Sequence, residues 1–446
     1  MSGTGTEQID PLVLAQDDAI RILRDLIRID TTNTGEPDTT VGEAVAAEYV
    51  EALLVGAGYS PERFETTSGT RQGVYLRIPG ADPTRGALLL HGHLDVVPAI
   101  AADWQMPPFS GEVVDGMIWG RGAVDMKDMD AMLLALALHW ARSGYVPPRE
   151  IVLIMTPDEE AGMRHGAHWI VANRPDMLEG VTEAVGEVGG FSITARDERR
   201  LYLLQTAEKG LAWLRLKAHG RGGHGSFIHD DNAVTELAAA VQRLGEHDWP
   251  LTLTPTMSAC VEELSDALGV PFDPADPEPF LAALGPMARV IGATLRNSAN
   301  PTMLTAGYKA NVVPAVAEAQ VDGRFLPGHR DDFLATIDVL LGDKVQREFV
   351  NHDVAVETTF DGPTIAAMSQ SLRAEDPQAR PIPYTMSGGT DAKAWSSLGV
   401  RCYGFVPLLL PPDLDFPALF HGVDERVPIE SVRFGVRVLQ RFIESA

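Results

Sequence analysis

The chain contains 446 residues, 45% of them hydrophobic and 22% charged, a composition typical of a folded globular protein with two or three domains. Its formal net charge of -26 argues against nucleic acid or an anionic membrane as a partner, because such a field repels phosphates. Two cysteines are too few for a disulfide framework, residues 1–10 lack signal-peptide features, and every apolar run is shorter than the ~20 residues that span a bilayer. A cytoplasmic protein is therefore expected.

The first part of the chain alternates between helical and strand patterns. Apolar residues at helical spacing predict one helix beginning near Asp17 and a second whose buried face carries Val41, Val45, Tyr49 and Leu53. The apolar stretch 131–138 is predicted to be a buried helix. Strands are predicted from short apolar runs at residues 74–78, 87–90, 151–155 and 184–185. Because these runs are continuous, they indicate a mostly parallel sheet covered by helices on both faces.

After about residue 201 the pattern changes. Residues 211–217 and 315–325 alternate between apolar and polar side chains, as half-exposed antiparallel strands do, and residues 232–244 and 331–341 have helical patterns. Two helices on one face of an antiparallel sheet are therefore expected here. The segment from Cys260 to Asn300, rich in proline, alanine and acidic residues, is left unassigned.

The first pattern returns near residue 361 and ends in a helix predicted from Pro428. The predicted organisation is a discontinuous α/β domain, residues 1–203 and 361–446, with a smaller α+β domain, residues 204–360, inserted in its middle.

Potential metal ligands follow several of the predicted strands. They are His93 with Asp95 close behind it, Asp125 after a glycine-rich turn, Glu159 and Glu160 in tandem, Glu187, and His421 near the C-terminus. Each alone has an ordinary explanation, such as a loop histidine, a turn aspartate or an acidic helix start. Together they collect imidazole and carboxylate groups, without thiolate, at one edge of a sheet. This set suits two divalent ions, with zinc favoured and manganese or cobalt as alternatives.

Eight motifs occur along the chain: His91-Gly-His-Leu-Asp-Val-Val-Pro98, Gly120-Arg-Gly-Ala-Val-Asp-Met-Lys127, Asp158-Glu-Glu160, Gly223-His-Gly-Ser226, Asn311-Val-Val-Pro314, Asp322-Gly-Arg324, Ser387-Gly-Gly-Thr-Asp391 and His421-Gly-Val-Asp-Glu425. In this combination and order the chain resembles the metallopeptidase family that includes aminoacylase, glutamate carboxypeptidase, acetylornithine deacetylase and succinyl-diaminopimelate desuccinylase. The resemblance runs from about Ile20 to the end. It implies a metallohydrolase catalytic domain with an inserted lid and dimerisation domain, and hence a homodimer.

The resemblance also implies a role for individual residues. One ion would be held by His93, Asp125 and Glu187, and the other by Asp125, Glu160 and His421, so that Asp125 bridges the two. Glu159 would be the general base, Asp95 would orient His93, and His224 would reach the active site of the other subunit. The substrate, and in particular its carboxylate, would be held by Asn311, Arg324, Gly389 and Thr390.

The activity implied is hydrolysis of the amide bond of an N-acyl amino acid or small peptide that bears a free carboxylate. In the family, glutamate at the position of Glu187 is typical of deacylases and carboxypeptidases, whereas aspartate there is typical of aminopeptidases. A metallo-aminopeptidase or dipeptidase is the alternative. A binding protein without activity is a remote alternative, and Glu159 argues against it. Asp128 departs from the glycine usual in the family, and Asp391 is interpreted as a helix cap.

Overall fold

The structure, a computed structural model, describes residues 11–66, 69–195 and 199–446. They form two compact units. The first unit consists of the described residues up to 206 together with 358–383 and 390–446, and the second of residues 207–357 and 384–389. The predicted domain limits, at 203/204 and 360/361, stay a prediction. Residues 1–10, which bear on the predicted absence of a signal peptide, lie outside the described residues.

The first unit is a layered α/β structure. In chain order its elements are α1 (Pro11–Arg28), α2 (Ala44–Gly56), β1 (Glu62–Glu65), β2 (Gln72–Ile78), β3 (Ala87–His93), β4 (Glu112–Val114), β5 (Met117–Trp119), α3 (Lys127–Ser143), β6 (Ile151–Thr156), α4 (Ala167–Asn173), β7 (Val181–Gly186), β8 (Ser192–Thr194), β9 (Arg200–Glu208), α10 (Gly362–Glu375), β17 (Ala379–Met386), α11 (Ala392–Ser396), β18 (Arg401–Gly404), β19 (Arg426–Pro428) and α12 (Ile429–Ser445).

The main sheet has the strand order β1-β2-β6-β3-β7-β18-β9. Its central strands β6, β3, β7 and β18 are parallel, whereas β1, β2 and β9 pair antiparallel. Strands β3 and β6 are buried at every position, which explains their continuous apolar runs. The predicted α/β fold is confirmed, with a parallel centre and antiparallel edges.

Three helix boundaries or faces differ from the prediction. Helix α1 begins at Pro11 because its buried face continues back through Ala19 and Ala15. Val41 lies outside α2 and Val45 is 62% exposed; the buried face of α2 consists of Ala46, Ala47, Val50 and Leu54. The packing face is therefore displaced by one residue from the predicted one. At the C-terminus, Pro428 precedes α12 instead of starting it.

The second unit combines an antiparallel sheet with helices. Its elements are β10 (Gly210–His219), β11 (Gly223–His224), α5 (Ala233–Gly245), α6 (Pro255–Leu268), α7 (Glu278–Ala283), α8 (Ala288–Ala293), β12 (Ser298–Ala306), β13 (Val312–Val313), β14 (Val316–Phe325), α9 (Arg330–Leu341), β15 (Val345–Asp353) and β16 (Val356–Glu357). The sheet order is β12-β14-β10-β15, and α5 and α9 pack in one apolar core with it, as predicted.

The unassigned segment from Cys260 to Asn300 is largely helical. Thr254 caps α6 by accepting the N–H of Met257, and Cys260 and Phe280 are fully buried. The Lys209 ammonium donates to the carbonyl groups of Ala293 and Arg296 at the end of this segment. Among the described residues, no helix has the length and apolar character needed to cross a membrane.

Candidate two-metal centre

The carboxyl ends of three adjacent parallel strands carry the first group of predicted ligands. His93 is the last residue of β3, and in the β3–β6 register it lies opposite Thr156, the last residue of β6. Glu159 and Glu160 follow Thr156, and Glu187 follows directly after β7. Because parallel strands place their carboxyl ends on one edge of the sheet, these side chains converge there.

A small second sheet, β4-β5-β19, brings in the remaining two ligands. Trp119 of β5 pairs with Arg426 of β19, so the turn that leads to Asp125 lies beside the segment that follows His421. The Glu425 carboxylate fastens the two segments together. It accepts the N–H of Val124 at 2.8 Å and forms an ion pair with Arg121 at 2.6 Å.

Asp125 lies at the centre of the cluster. Its Oδ1 is 3.3 Å from Nε2 of His93, and its Oδ2 is 3.2 Å from Nε2 of His421. His93 also faces Glu187 at 3.4 Å, and His421 faces Glu160 at 3.0 Å. One carboxylate is therefore shared between two sets, each completed by one imidazole and one glutamate.

Two overlapping groups of ligand atoms have dimensions that suit a metal ion. Atoms of His93, Glu159 and Glu187 lie within 4.8 Å of one another, as do atoms of His93, Asp125 and Glu160. Glu159 therefore belongs to the same cluster as the predicted ligands, where it can either bind an ion or exchange a proton with a molecule held there.

The electrostatics of the cluster favour a bound cation. Burial, reinforced by the charge of Asp125 and opposed by His93, raises the pKa of Glu187 to about 8. Burial and the charge of Glu187 raise the pKa of Glu159 well above its ordinary value. Hydrogen bonds to Asp125 and Glu160 raise the pKa of His421 to about 10.

A buried oxygen atom of Glu160 also indicates a bound cation, independently of any pKa. Oε1 of Glu160 is buried and has no hydrogen-bond partner among the described residues. A buried carboxylate oxygen without a partner is unfavourable, and a divalent ion would satisfy it and offset the excess of carboxylates. The residues present therefore fit a centre of two divalent ions.

Asp95 lies beside His93, and its backbone oxygen is nearer to the ring than its carboxylate; its predicted role in orienting His93 stays a prediction. Nδ1 of His93 is 3.0 Å from the backbone oxygen of Asp95 and 3.5 Å from its carboxylate. The carboxylate accepts the backbone N–H groups of Glu159 and Glu160 and the side-chain amide of Asn33. Asn33 was not predicted, because a lone asparagine in the polar stretch Thr31-Thr-Asn-Thr-Gly35 suggests only a turn.

His224, Asn311 and Arg324 belong to the second unit, whereas the cluster belongs to the first. His224 on β11 pairs with β13, and the N–H of Gly225 donates to the carbonyl of Asn311, so His224 and Asn311 lie in adjacent segments. Nδ1 of His224 lies 2.8 Å from the Ser226 hydroxyl and 3.2 Å from the Ser226 backbone nitrogen, and an N–H donated to Nδ1 favours the tautomer with the proton on Nε2. Arg324 lies on β14 beside Asp322.

The stretch from Gly389 to Asp391 follows β17 and leads into α11. The cap expected from Asp391 comes instead from Thr390, whose hydroxyl accepts the N–H of Ala392. Asp391 accepts a hydrogen bond from the Thr156 hydroxyl at 2.5 Å, and burial raises its pKa to about 7. Asp391 is thus a buried acid at the end of β6, which the capping interpretation missed.

Asp128, the departure from the family pattern, is fully buried at the start of α3. Its Oδ1 accepts the N–H of Met129, and its Oδ2 has no hydrogen-bond partner among the described residues. With Glu187 it lines a cavity of ≈ 230 Å³, a volume that includes the opening to solvent, whose other walls include Phe191, Phe416 and Phe420.

Comparison with known proteins identifies the family to which this chain belongs. Residues 89–445 match the profile of Peptidase family M20/M25/M40, and this span contains every residue of the cluster. The chain belongs to that family. The predicted membership, the fold class and the enzyme class, a metal-dependent hydrolase of amide bonds, are thereby confirmed.

Individual members of the family are moderately similar. The human N-fatty-acyl-amino acid synthase/hydrolase PM20D1 is 29% identical over 385 residues, covering 83% of this chain and 76% of that protein. Pig aminoacylase-1 is 28% identical over 419 residues, covering 92% and 90%. The M20 family metallo-carboxypeptidase Sso-CP2 from Sulfolobus solfataricus shares the fold, with a TM-score of 0.71 at 20% identity over 96% of this chain and 99% of that one.

Proposed function

We propose that this chain hydrolyses the amide bond of N-acyl amino acids or small peptides that carry a free carboxylate, using two divalent ions. The observation that carries the proposal is the shared carboxylate of Asp125, whose two oxygens face His93 at 3.3 Å and His421 at 3.2 Å. A single carboxylate between two nitrogen and oxygen sets is the arrangement that two neighbouring ions require.

The proposed ligand sets follow the observed pairs. His93, Asp125 and Glu187 would hold one ion, and Asp125, Glu160 and His421 the other. The sets contain imidazole and carboxylate groups, which suit zinc first and manganese or cobalt as alternatives. When bound, such ions lower the pKa of a water molecule and polarise the substrate carbonyl.

Glu159 is the proposed general base. Its backbone N–H is held by Asp95 at 3.1 Å, and its side chain is buried among carboxylates that favour its protonated form. In its ionised form, a carboxylate whose pKa is raised in this way can accept the proton of the attacking water and, once protonated, deliver it to the leaving amine. Glu159 is preferred as base over ligand because His93 already has Asp125 and Glu187 as closer partners.

Arg324 is the proposed anchor for the substrate carboxylate. Its Nε donates to Oδ1 of Asp322 at 2.8 Å and its Nη2 to Oδ2 at 3.3 Å, so one edge of the guanidinium is fixed. The opposite edge keeps the planar geometry that matches a carboxylate. Asn311, Gly389 and Thr390 are proposed to complete the substrate site.

A homodimer is proposed as the active form, with His224 donating from Nε2 to the oxyanion in the other subunit. The observed acceptor role of its Nδ1 supports that tautomer. We also propose a cytoplasmic location. The chain has only two cysteines, Cys260 and Cys402, both buried, and so few cysteines fit a reducing compartment.

A substrate comparison tests the proposal. The metal-loaded enzyme is offered N-acetyl amino acids, free-amine dipeptides and free-amine dipeptide amides in the presence of zinc, manganese or cobalt. We expect hydrolysis of the substrates with a free carboxylate. Cleavage of the dipeptide amides alone would contradict the proposal and support an aminopeptidase.

A further inference from the structure

A buried polar network lies behind the proposed metal centre, on the far side of Asp95. It comprises Glu43, Arg71, Asn33 and Asp158, and none of the four belongs to the proposed ligand sets. All are buried, with exposed fractions of 6% or less. The network reaches the centre through Asp95, which accepts the Asn33 amide at 2.8 Å.

The partners of Asn33 fix the orientation of its amide. Oδ1 accepts from Nη2 of Arg71 at 2.7 Å, and a guanidinium can only donate. Nδ2 donates to Asp95 at 2.8 Å and to Asp158 at 3.1 Å. Asn33 therefore links the Arg71 cation to two carboxylates, because it accepts a hydrogen bond from Arg71 and donates one each to Asp95 and Asp158. The two carboxylates could not form a hydrogen bond with each other.

Asp158 begins the turn that presents Glu159 and Glu160. Its φ of 65° is unfavourable for a residue with a side chain, so the turn depends on outside contacts to persist. Those contacts are the N–H of His165 at 2.9 Å, the Asn33 amide, and Nη2 of Arg71 at 3.1 Å.

Arg71 supplies the positive charge of the network. It pairs with Glu43 at 2.5 Å and with Asp158 at 3.1 Å, and Asp95 lies one hydrogen bond further on. Without this guanidinium, Glu43 and Asp158 would lose the positive charge that contacts them, and the Asn33 amide that binds Asp95 would lose the Arg71 hydrogen bond to its Oδ1.

We infer that Arg71 and Asn33 are positioning residues, which together hold the Asp95 carboxylate and the turn at Asp158 in the geometry that presents Glu159 and Glu160. This inference rests on the proposed function. According to this inference, Arg71 and Asn33 affect metal binding and turnover in addition to stabilising the fold.

The chain offers a matched control. Arg149 is equally buried and pairs with Glu183 at 2.6 Å, but at the amino ends of the strands, where it donates to the carbonyls of Gly86 and Ala87. Arg149→Met and Arg71→Met each remove one buried guanidinium; Arg149 pairs with Glu183, whereas Arg71 pairs with Glu43 and Asp158. Only the second lies behind the proposed centre.

The experiment compares the full-length wild type with both variants. Divalent-metal affinity is measured by competition with a chromophoric chelator, kcat and KM with the best N-acyl substrate, and Tm on metal-free protein. In Arg71→Met we expect 10- to 100-fold weaker metal binding and a similar fall in kcat, the usual effect of losing a partner behind a ligand, with KM within about threefold. In Arg149→Met we expect a lower Tm with metal affinity and kcat unchanged.

Asn33→Asp provides a second variant that keeps shape and its bond from Arg71 but turns a donor toward Asp95 into an acceptor. We expect the same signature as in Arg71→Met. The inference is overturned if both variants match Arg149→Met in metal affinity and kcat, or if both fail to fold while Arg149→Met folds. A wild type that binds no divalent ion would instead overturn the proposed function.

Discussion

The two ends of the central strands are built from similar residues in opposite ways. Glu183 and Glu187 lie four positions apart, within and just after β7, and both are buried. At the amino end, Glu183 pairs with Arg149 at 2.6 Å and with Arg401. These partners and Thr182 overcome the effect of burial and hold the pKa of Glu183 below its usual value. At the carboxyl end the pKa of Glu187 is raised to about 8.

The two ends of the sheet therefore serve different purposes: the amino end stabilises the fold, and the carboxyl end is suited to bind a ligand. The amino end carries its own counter-charges and is complete without a ligand. The carboxyl end gathers Asp95, Asp125, Glu159, Glu160 and Glu187 around two imidazoles, so carboxylates outnumber the cationic side chains in contact with them. Bound cations would serve as both structural partners and reagents.

The largest effect is expected from Glu159→Gln at the carboxyl end. The substitution removes a proton acceptor and keeps the shape of the side chain, so kcat should fall by ~10² or more with metal content retained. Single-substrate kinetics and elemental analysis of the same sample check this. Near-normal turnover would place the base elsewhere.

The same substitution at the two ends of β7 tests the comparison itself. Glu183→Gln leaves the Arg149 guanidinium buried without its counter-charge and should destabilise the metal-free protein by about 3 kcal/mol, with metal affinity unchanged. Glu187→Gln relieves a crowded cluster and should leave metal-free stability nearly unchanged while weakening metal binding. Urea unfolding and metal titration measure both quantities, and equal destabilisation by the two variants would contradict the comparison.

Arg324 extends the comparison to the second unit. Unlike buried Arg149, its side chain is 23% exposed, with Asp322 on one edge. A charge-assisted bond to a substrate carboxylate contributes roughly 1.5–3 kcal/mol, so amidation of that carboxylate should lower kcat/KM by about 10- to 150-fold. In Arg324→Ala the acid and the amide should be hydrolysed with similar, low efficiency. Equal cleavage by the wild type would end the anchor proposal.

The smallest signal comes from mixing inactive chains. If His224 acts in the other subunit, a His224→Ala chain mixed with a Glu159→Gln chain forms hybrid dimers with one intact site. Random pairing then restores roughly a quarter of wild-type activity. Chains that demonstrably form mixed dimers yet recover no activity would show that His224 acts within its own subunit or not at all.

The parts of the fold with strong patterns were predictable from the sequence. Continuous apolar runs indicated β3 and β6 because both strands are buried on both faces, and alternation indicated β10 and β14 because one face of each packs in the core. The buried face of α2 was mispredicted by one residue because this helix has apolar residues on more than one face: Val50 and Leu54 are buried, whereas Val45 is exposed.

The proximity of the candidate ligands could be predicted because His93, Glu159, Glu160 and Glu187 follow the ends of parallel strands, whereas their role as ligands stays a prediction. The residues that support the cluster could not be predicted. Asn33 and Arg71 precede the motifs, and their role depends on contacts between residues distant in sequence, such as that of Asn33 with Asp95. The cis peptide bonds after Asp125 and Glu187 likewise had no sequence signal. The hydrogen bond from the Thr156 hydroxyl to Asp391 depends on where α11 lies relative to β6, and the local sequence pattern does not specify that position.

Asp125 is proposed to be shared by two ions, and metal stoichiometry, measured on protein that has been saturated with metal and then desalted, tests this sharing. We expect about two divalent ions per wild-type chain, about one in Glu187→Gln, and less than one in Asp125→Asn, because Asp125→Asn removes the bridging carboxylate from both sets. A wild-type chain that retains no ion under saturating metal, or an Asp125→Asn chain that still retains two, would contradict it.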